Sequence, residues 1–190
     1  MNRVTAYELL FRSSANQFES GVTDDALATA SVVRQAFGRI GITTVVGDAR
    51  AFVNMDTEWL LSRRIESLPK DKVVIEILET VPIDEQLIRR CRALSEKGYR
   101  FALDDFNCYS EIYEPLLEFV DIVKVDVLNL DPASLDEFVQ RLRRWPARLL
   151  AEKIDTLDSA RRCKSLGFDL FQGFIFGHPA LVGDYFPLVQ

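Results

Sequence analysis

Residues 100–126 read RFALDDFNCYSEIYEPLLEFVDIVKVD, and this stretch holds one complete strand–helix–strand unit. Its two ends are short apolar runs rich in β-branched and aromatic residues, which predicts strands over 99–104 and 121–125. The segment 112–119 between them is predicted to be helical despite Pro115. The first strand ends at Asp104 and Asp105, and the second carries Lys124 and Asp126. A strand, a helix and a second strand in this order predict a parallel βαβ unit.

The same arrangement recurs along the whole chain. Strands are predicted over 4–10, 51–54, 73–78, 99–104, 121–125, 148–152 and 168–172. Residues 42–46 are expected either to form a short strand or only to lead into the second of these. Helices are predicted over 24–38, 56–62, 83–97, 112–119, 134–145 and 157–166. Consecutive βα units of this kind predict an α/β fold, a TIM-like (β/α) barrel formed by residues 1–190 as one domain.

Composition argues against several classes of binding partner and site. The 190 residues carry a net charge of −6, which argues against a binder of nucleic-acid polymers or of anionic membranes. No apolar run approaches the roughly 20 residues that a membrane-spanning helix needs, so no membrane insertion is expected. The three cysteines form no CxxC pair and are expected to be reduced, which favours the cytoplasm. With a single histidine, His178, a zinc site is not expected.

Nearly every predicted strand ends in a polar side chain, and in a parallel barrel these ends meet at one site. The carboxylates are Glu8, Glu76, Asp104, Asp105 and Glu152, and Asn54 adds an amide oxygen. Oxygen ligands without histidine or cysteine select hard ions such as Mg²⁺, Mn²⁺ or Ca²⁺. Two such ions would support an in-line phosphoryl displacement, with Lys124 positioning or deprotonating the attacking water. From the pattern alone, a divalent-metal phosphoesterase and another barrel chemistry both stay open.

The motifs in chain order resemble those of the EAL domain family of bacterial cyclic di-GMP phosphodiesterases. The matching segments are YELLFR at 7–12, FVN at 52–54, EILE at 76–79, DDF at 104–106, KVD at 124–126, AEKIDT at 151–156 and QGF at 172–174. The variants ELLFR, LLAEK and GFDLFQG are similar to the subgroup in which an EAL domain precedes an HDOD domain. No HDOD segment follows Gln190, so a single EAL-like domain over 1–190 is expected.

The resemblance implies hydrolysis of cyclic di-GMP to the linear dinucleotide pGpG with Mg²⁺ or Mn²⁺ at a two-metal site. It implies metal ligation by Glu8, Asn54, Glu76, Asp104, Asp105 and Glu152 and catalytic roles for Glu8, Lys124 and Glu152. It implies substrate contacts for Leu10, Arg12, Asp126, Asp155 and Gln172, with Glu79 anchoring the loop after Asp104-Asp105-Phe106. A homodimer or a signalling-protein partner is also compatible with the family.

Three departures from the family pattern accompany these matches. The family has a strand with a Gln-Pro pair before the signature strand, so a barrel without that first strand is expected here. The loop at 107–110, NCYS, replaces a longer glycine-rich loop. Lys153 and Asp155 stand where the family usually has glycine and glutamate, and Lys153 would either bring positive charge to the site or point outward. The alternative function is therefore an inactive EAL-like domain that senses cyclic di-GMP or docks on a protein.

Overall fold

Seven parallel strands in chain order form one sheet in the computed structural model, which describes residues 3–10, 33–39 and 41–180. The strands are β1 (Ala6–Leu9), β2 (Arg50–Met55), β3 (Val73–Ile77), β4 (Arg100–Leu103), β5 (Ile122–Asp126), β6 (Arg148–Glu152) and β7 (Leu170–Phe171). Every predicted strand from 4–10 to 168–172 other than 42–46 is confirmed to within two residues at each end. Within the described ranges, β1 and β7 form the two edges of the sheet.

Short helices connect the strands. They are α1 (Ile42–Val46), α2 (Thr57–Leu61), α3 (Glu85–Glu96), α4 (Glu114–Leu117), α5 (Pro132–Leu142) and α6 (Leu157–Ser165). A π-helical segment spans Arg34–Arg39, and 3₁₀ turns span Arg63–Ser67 and Glu111–Tyr113. Strands that alternate with helices in a parallel sheet confirm the TIM-like α/β fold.

Side-chain caps decide where the longer helices begin. The carboxylate of Asp84 accepts a hydrogen bond from the Leu87 amide at 2.8 Å, and the hydroxyl of Thr156 accepts one from the Ser159 amide at 3.1 Å. Such caps satisfy backbone donors that the first turn leaves unpaired. Helix α5 begins before the predicted residue 134, because Asp131 caps it and Pro132 fits the first helical position.

Neither alternative left open for 42–46, a short strand or a lead-in to β2, is correct, because these residues form helix α1. Its β-branched sequence favours a strand by local propensity. In the folded chain, however, Ile42 and Val46 lie one helical turn apart and are both buried. Gly41 and Gly47 have positive φ angles and bound the segment on either side, so the chain turns at both ends.

Two helix predictions are only partly met. The segment predicted at 112–119 is a 3₁₀ turn followed by α4, with Pro115 in the first turn of that short helix, where proline is tolerated. The predicted helix at 24–38 lies mainly outside the described residues, and its final part belongs to the π-helical segment.

The main hydrophobic core lies between the outer face of the sheet and the helices. Alternate strand residues such as Val53, Ile75 and Val123 are fully buried there against helix residues such as Leu87 and Leu94. Because side chains alternate across a strand, the other face of each strand points to the inside of the curved sheet. That inner face carries the polar side chains of the candidate site.

Candidate active site at the carboxyl ends of the strands

All seven strands follow the same two-residue pattern on their inner face. An apolar residue is followed two positions later by a polar one: Ala6 and Glu8, Phe52 and Asn54, Val74 and Glu76, Ala102 and Asp104, Ile122 and Lys124, Leu150 and Glu152, Leu170 and Gln172. The apolar members pack together as a separate hydrophobic cluster. Since residues two apart on a strand point the same way, the polar members form the next layer above this floor.

Lys124 lies at the centre of the polar layer with its side chain fully buried. Its Nζ atom lies 2.6 Å from Glu76, 2.6 Å from Asp104, 2.9 Å from Glu152 and 3.5 Å from Glu8, measured to a carboxylate oxygen in each case. The ring of Phe52 lies below it, 5.8 Å from Nζ to the ring centroid. The structure therefore brings together four of the predicted acids around one predicted catalytic lysine.

Gln172 connects the two edges of the sheet. Its Nε2 atom donates a hydrogen bond of 2.6 Å to Glu8, which stands on β1 at the opposite edge. The Gln172 backbone amide donates to the Ala151 carbonyl at 2.8 Å, which ties the end of β7 to β6. The side chain thus holds Glu8 toward the other acids.

Burial determines the protonation behaviour of this layer. It raises the pKa of Glu76 well above its usual value, and it raises the pKa of Glu152 to about 7, although Lys124 opposes both shifts. Burial alone would lower the pKa of Lys124, but the carboxylates, Glu76 first, outweigh it and hold that pKa above its usual value. Lys124 therefore keeps its charge, whereas fully ionising the acids is costly unless another cation compensates them.

The acid layer has the chemistry to take up a divalent cation. Four carboxylates face a single ammonium group, and one oxygen each of Glu76 and Glu152 is buried with neither a hydrogen-bond nor an ion-pair partner in the part of the chain that the structure describes. Asn54 stands beside Glu76 in the register of β2 and β3. These oxygen donors suit Mg²⁺ or Mn²⁺. Among the described residues, no group of three or more acidic, histidine or cysteine side chains forms a ready-made metal centre.

Asp105, the remaining predicted ligand, lies at the mouth of the site and not in the layer around Lys124. Lys153 Nζ is 3.4 Å from its carboxylate and also contacts the carboxylate of Asp126. Asp126 is buried and additionally accepts hydrogen bonds from the Leu128 amide at 2.9 Å and the Asn129 side chain at 2.6 Å. Of the two orientations left open for Lys153, the structure has the one directed to the site.

The other predicted residues lie around the rim. Leu10 and Asp155 are exposed, after β1 and between β6 and α6 respectively. Glu79 lines a cavity of about 160 Å³ together with Asp105 and Phe106. Arg12 lies outside the described residues. Asn129 was not predicted, because nothing in its local sequence distinguishes it from other loop asparagines.

The fold and the site place this protein among the (β/α) barrels that carry a buried lysine among acids at the strand ends. Comparison with known sequences identifies the family. The EAL domain profile matches residues 3–179, so the chain belongs to the EAL domain family. It is 34% identical over 178 residues to the cyclic di-GMP phosphodiesterase CdgJ of Vibrio cholerae, covering 93% of this chain and 41% of CdgJ. It is also 34% identical over 187 residues to the protein YuxH of Bacillus subtilis, covering 96% of this chain and 46% of YuxH. The chain thus spans less than half the length of these relatives.

Solved structures of EAL proteins have the same fold. The YkuI protein of Bacillus subtilis, in complex with its substrate cyclic di-GMP and calcium, matches with a TM-score of 0.71 at 23% identity, over 93% of this chain and 51% of that one. BlrP1 of Klebsiella pneumoniae, a complex with calcium and cyclic di-GMP, matches with a TM-score of 0.62 at 26% identity, over 82% of this chain and 44% of that one. In the described ranges, none of the helices has the length and apolar character to cross a membrane.

Proposed function

We propose that this chain is a metal-dependent phosphodiesterase that hydrolyses cyclic di-GMP to pGpG in bacterial second-messenger signalling. The observation that carries the proposal is the layer of four acids around the buried Lys124, at the end of the barrel where such folds place their active sites. Membership of the EAL family and the similarity to CdgJ support the choice of substrate.

The residues of the layer would hold the ions. Glu8, Asn54, Glu76, Asp104 and Glu152 supply the oxygen donors, with Asp105 at the mouth. When bound, Mg²⁺ or Mn²⁺ would lower the pKa of the attacking water and offset charge on the scissile phosphate. Lys124, at the centre of these acids, would position the attacking water or deprotonate it.

The remaining predicted residues act around this centre. Gln172 would orient Glu8 through its 2.6 Å hydrogen bond, and the exposed Leu10 and Asp155 would contact the nucleotide. Asp126 is buried below Lys153, so it acts through that lysine. Arg12 as a substrate contact and Glu79 as the anchor of the loop after β4 remain part of the proposal. A cytoplasmic location and a homodimer or a signalling-protein partner complete it.

A second candidate is a cyclic di-GMP sensor or docking module that does not hydrolyse the nucleotide. It is favoured by one observation: across the described residues the acids face Lys124 and Lys153, and none of their groupings forms a ready-made metal centre. A sensor needs to bind the nucleotide but has no use for an activated water.

Incubating the purified chain with cyclic di-GMP and Mg²⁺ or Mn²⁺ separates the two candidates. We expect metal-dependent pGpG, detected by chromatography, and its loss in Glu8→Ala, because this variant removes a donor of the acid layer. Glu137→Ala, which removes an exposed acid on α5, is the matched control and should retain turnover. Calorimetry with cyclic di-GMP in the same samples reports binding.

The outcomes are distinct. Binding without product would replace the enzyme by the sensor. Product formation that persists in Glu8→Ala would place the chemistry outside this site. The absence of both binding and product would contradict the enzyme and the cyclic di-GMP sensor alike.

A further inference from the structure

Lys153 is held at the mouth of the site in an unusual backbone conformation. It follows Glu152, the last residue of β6, and has a φ of 58°. A side chain other than glycine rarely adopts this left-handed region, and it does so where surrounding contacts favour it. At this turn the side chains no longer alternate between the two faces of the sheet. The Lys153 side chain extends across the strand ends and contacts Asp126 of β5 and Asp105 after β4.

Asp105, the partner at the mouth, is also in the left-handed region, with a φ of 42°. The next residue, Phe106, donates its backbone amide to the Lys124 carbonyl at 2.9 Å, so the loop after β4 is docked on β5. Two residues with unfavourable backbone angles therefore meet in one ion pair. Their contact places the Asp105 carboxylate beside Lys153 at the mouth of the site, outside the acid layer.

Charge is compensated differently at the two levels of the site. In the inner layer, the four carboxylates share one ammonium group, that of Lys124, and one oxygen each of Glu76 and Glu152 is buried with neither a hydrogen-bond nor an ion-pair partner among the described residues. At the mouth, Asp105 and Asp126 face Lys153, and Asp126 has two further donors in Leu128 and Asn129. Among the described residues, the inner layer therefore has four carboxylates for one cation, whereas the mouth has two carboxylates for one cation.

We propose that Lys153 is a positioning residue that competes with a divalent cation for Asp105, so that the chain binds one divalent ion firmly at the inner acids and a second one only weakly. This inference rests on the proposed function, because it assumes that the inner acids take up an ion. An ion arriving at Asp105 meets the repulsion of an ammonium group only a few ångströms away. It also has to compete with a lysine that the buried Asp126 holds in place.

Binding of Mn²⁺ alone, without nucleotide, tests this directly. Calorimetry gives the affinities, and electron paramagnetic resonance of free Mn²⁺ gives the number of ions bound per chain. We expect one firm and one weak site in the original chain. In Lys153→Gln the weak site should bind about tenfold more tightly or better, since a charge within contact distance has been removed, while the firm site changes little.

Three further variants separate charge from structure. Lys153→Gly removes the same charge and suits the positive φ, so it should repeat the result of Lys153→Gln even if glutamine perturbs the loop. Lys153→Arg keeps the charge and should keep the second site weak. Lys164→Gln removes an exposed lysine on α6 and should match the original chain. Thermal unfolding in EDTA checks that each variant is folded.

Two results would overturn the role of Lys153 while leaving the proposed function intact. One is an unchanged second site in both Lys153→Gln and Lys153→Gly, and the other is equal tightening in Lys153→Arg. If neither the original chain nor any variant binds Mn²⁺, the metal site of the proposed function fails, and this inference fails with it. A second ion that appears only in the two uncharged variants would support the inference.

Discussion

At the scale of single residues, Lys124 decides whether the polar layer is stable. Its ammonium group is fully buried and lies within 3.5 Å of four carboxylates from four different strands. Removing one partner from a buried ionic group leaves uncompensated charges in a medium of low dielectric constant. The lysine is thus a structural requirement of the metal-free chain as well as a catalytic candidate.

We predict that Lys124→Met lowers the free energy of unfolding by about 3–5 kcal/mol in the absence of divalent ions. The methionine retains much of the volume, so the loss reports on charge. Urea unfolding in EDTA measures it, and the exposed Lys164→Met is the control. A loss no larger than in the control would show that the four acids do not depend on this ammonium group.

At the scale of elements, the connection after β7 sets the direction of Gln172. Gly173 has a φ of 154°, and a Cβ atom there would lie 2.2 Å from the backbone nitrogen and oxygen of Ile154. The Ile154 amide donates to the Gln172 carbonyl at 3.0 Å. This close approach of two backbones holds the loop after β6 against the end of β7, and it leaves no space for a side chain.

Gly173→Ala should therefore lower the free energy of unfolding by about 2 kcal/mol or more, because the backbone must shift to admit the methyl group. Denaturant unfolding measures this loss. Gly177→Ala in the same loop is the matched control, since an added Cβ meets no atom within 4 Å there, and we expect a change within about 0.5 kcal/mol. Equal stability of the two variants would mean that the close approach does not exist in solution.

At the scale of the whole molecule, the helices pack on the outer face of the sheet, and the exposure of the cysteines tests this packing. Cys91 on α3 and Cys163 on α6 are buried, whereas Cys108 in the loop after β4 is exposed. Burial raises the pKa of Cys91 to about 12 and also raises that of Cys163. Since the thiolate is the reactive form, both burial and pKa protect these two residues.

We predict that a thiol reagent at pH 8 modifies one cysteine per chain rapidly and the other two only when the protein unfolds. The time course of absorbance with an aromatic disulfide reagent measures it, and Cys108→Ser should remove the rapid phase. Three rapid thiols would contradict the packing of the helices on the sheet.

The strands and the acid layer were largely predictable from sequence. Apolar β-branched runs that end in polar residues recur along the chain, and parallel strands bring their ends to one edge, so the strand-end positions of Glu8, Glu76 and Glu152 suffice to group these acids. The pairing of each polar residue with an apolar one two positions earlier is also present in the sequence. This pairing shows which side chains lie in one layer only when the register of neighbouring strands is known, and the folded sheet defines that register.

The sequence by itself thus determined the alternation of strands and helices, the polar strand ends and the family, because these depend on local periodicity and on motifs in order. The tertiary structure alone decided that 42–46 is a helix, because burial of Ile42 and Val46 on one side outweighs β-propensity. It also decided the direction of Lys153. That direction depends on a backbone angle stabilised by Asp105 and Asp126, which are distant in sequence and meet the lysine only in the folded barrel.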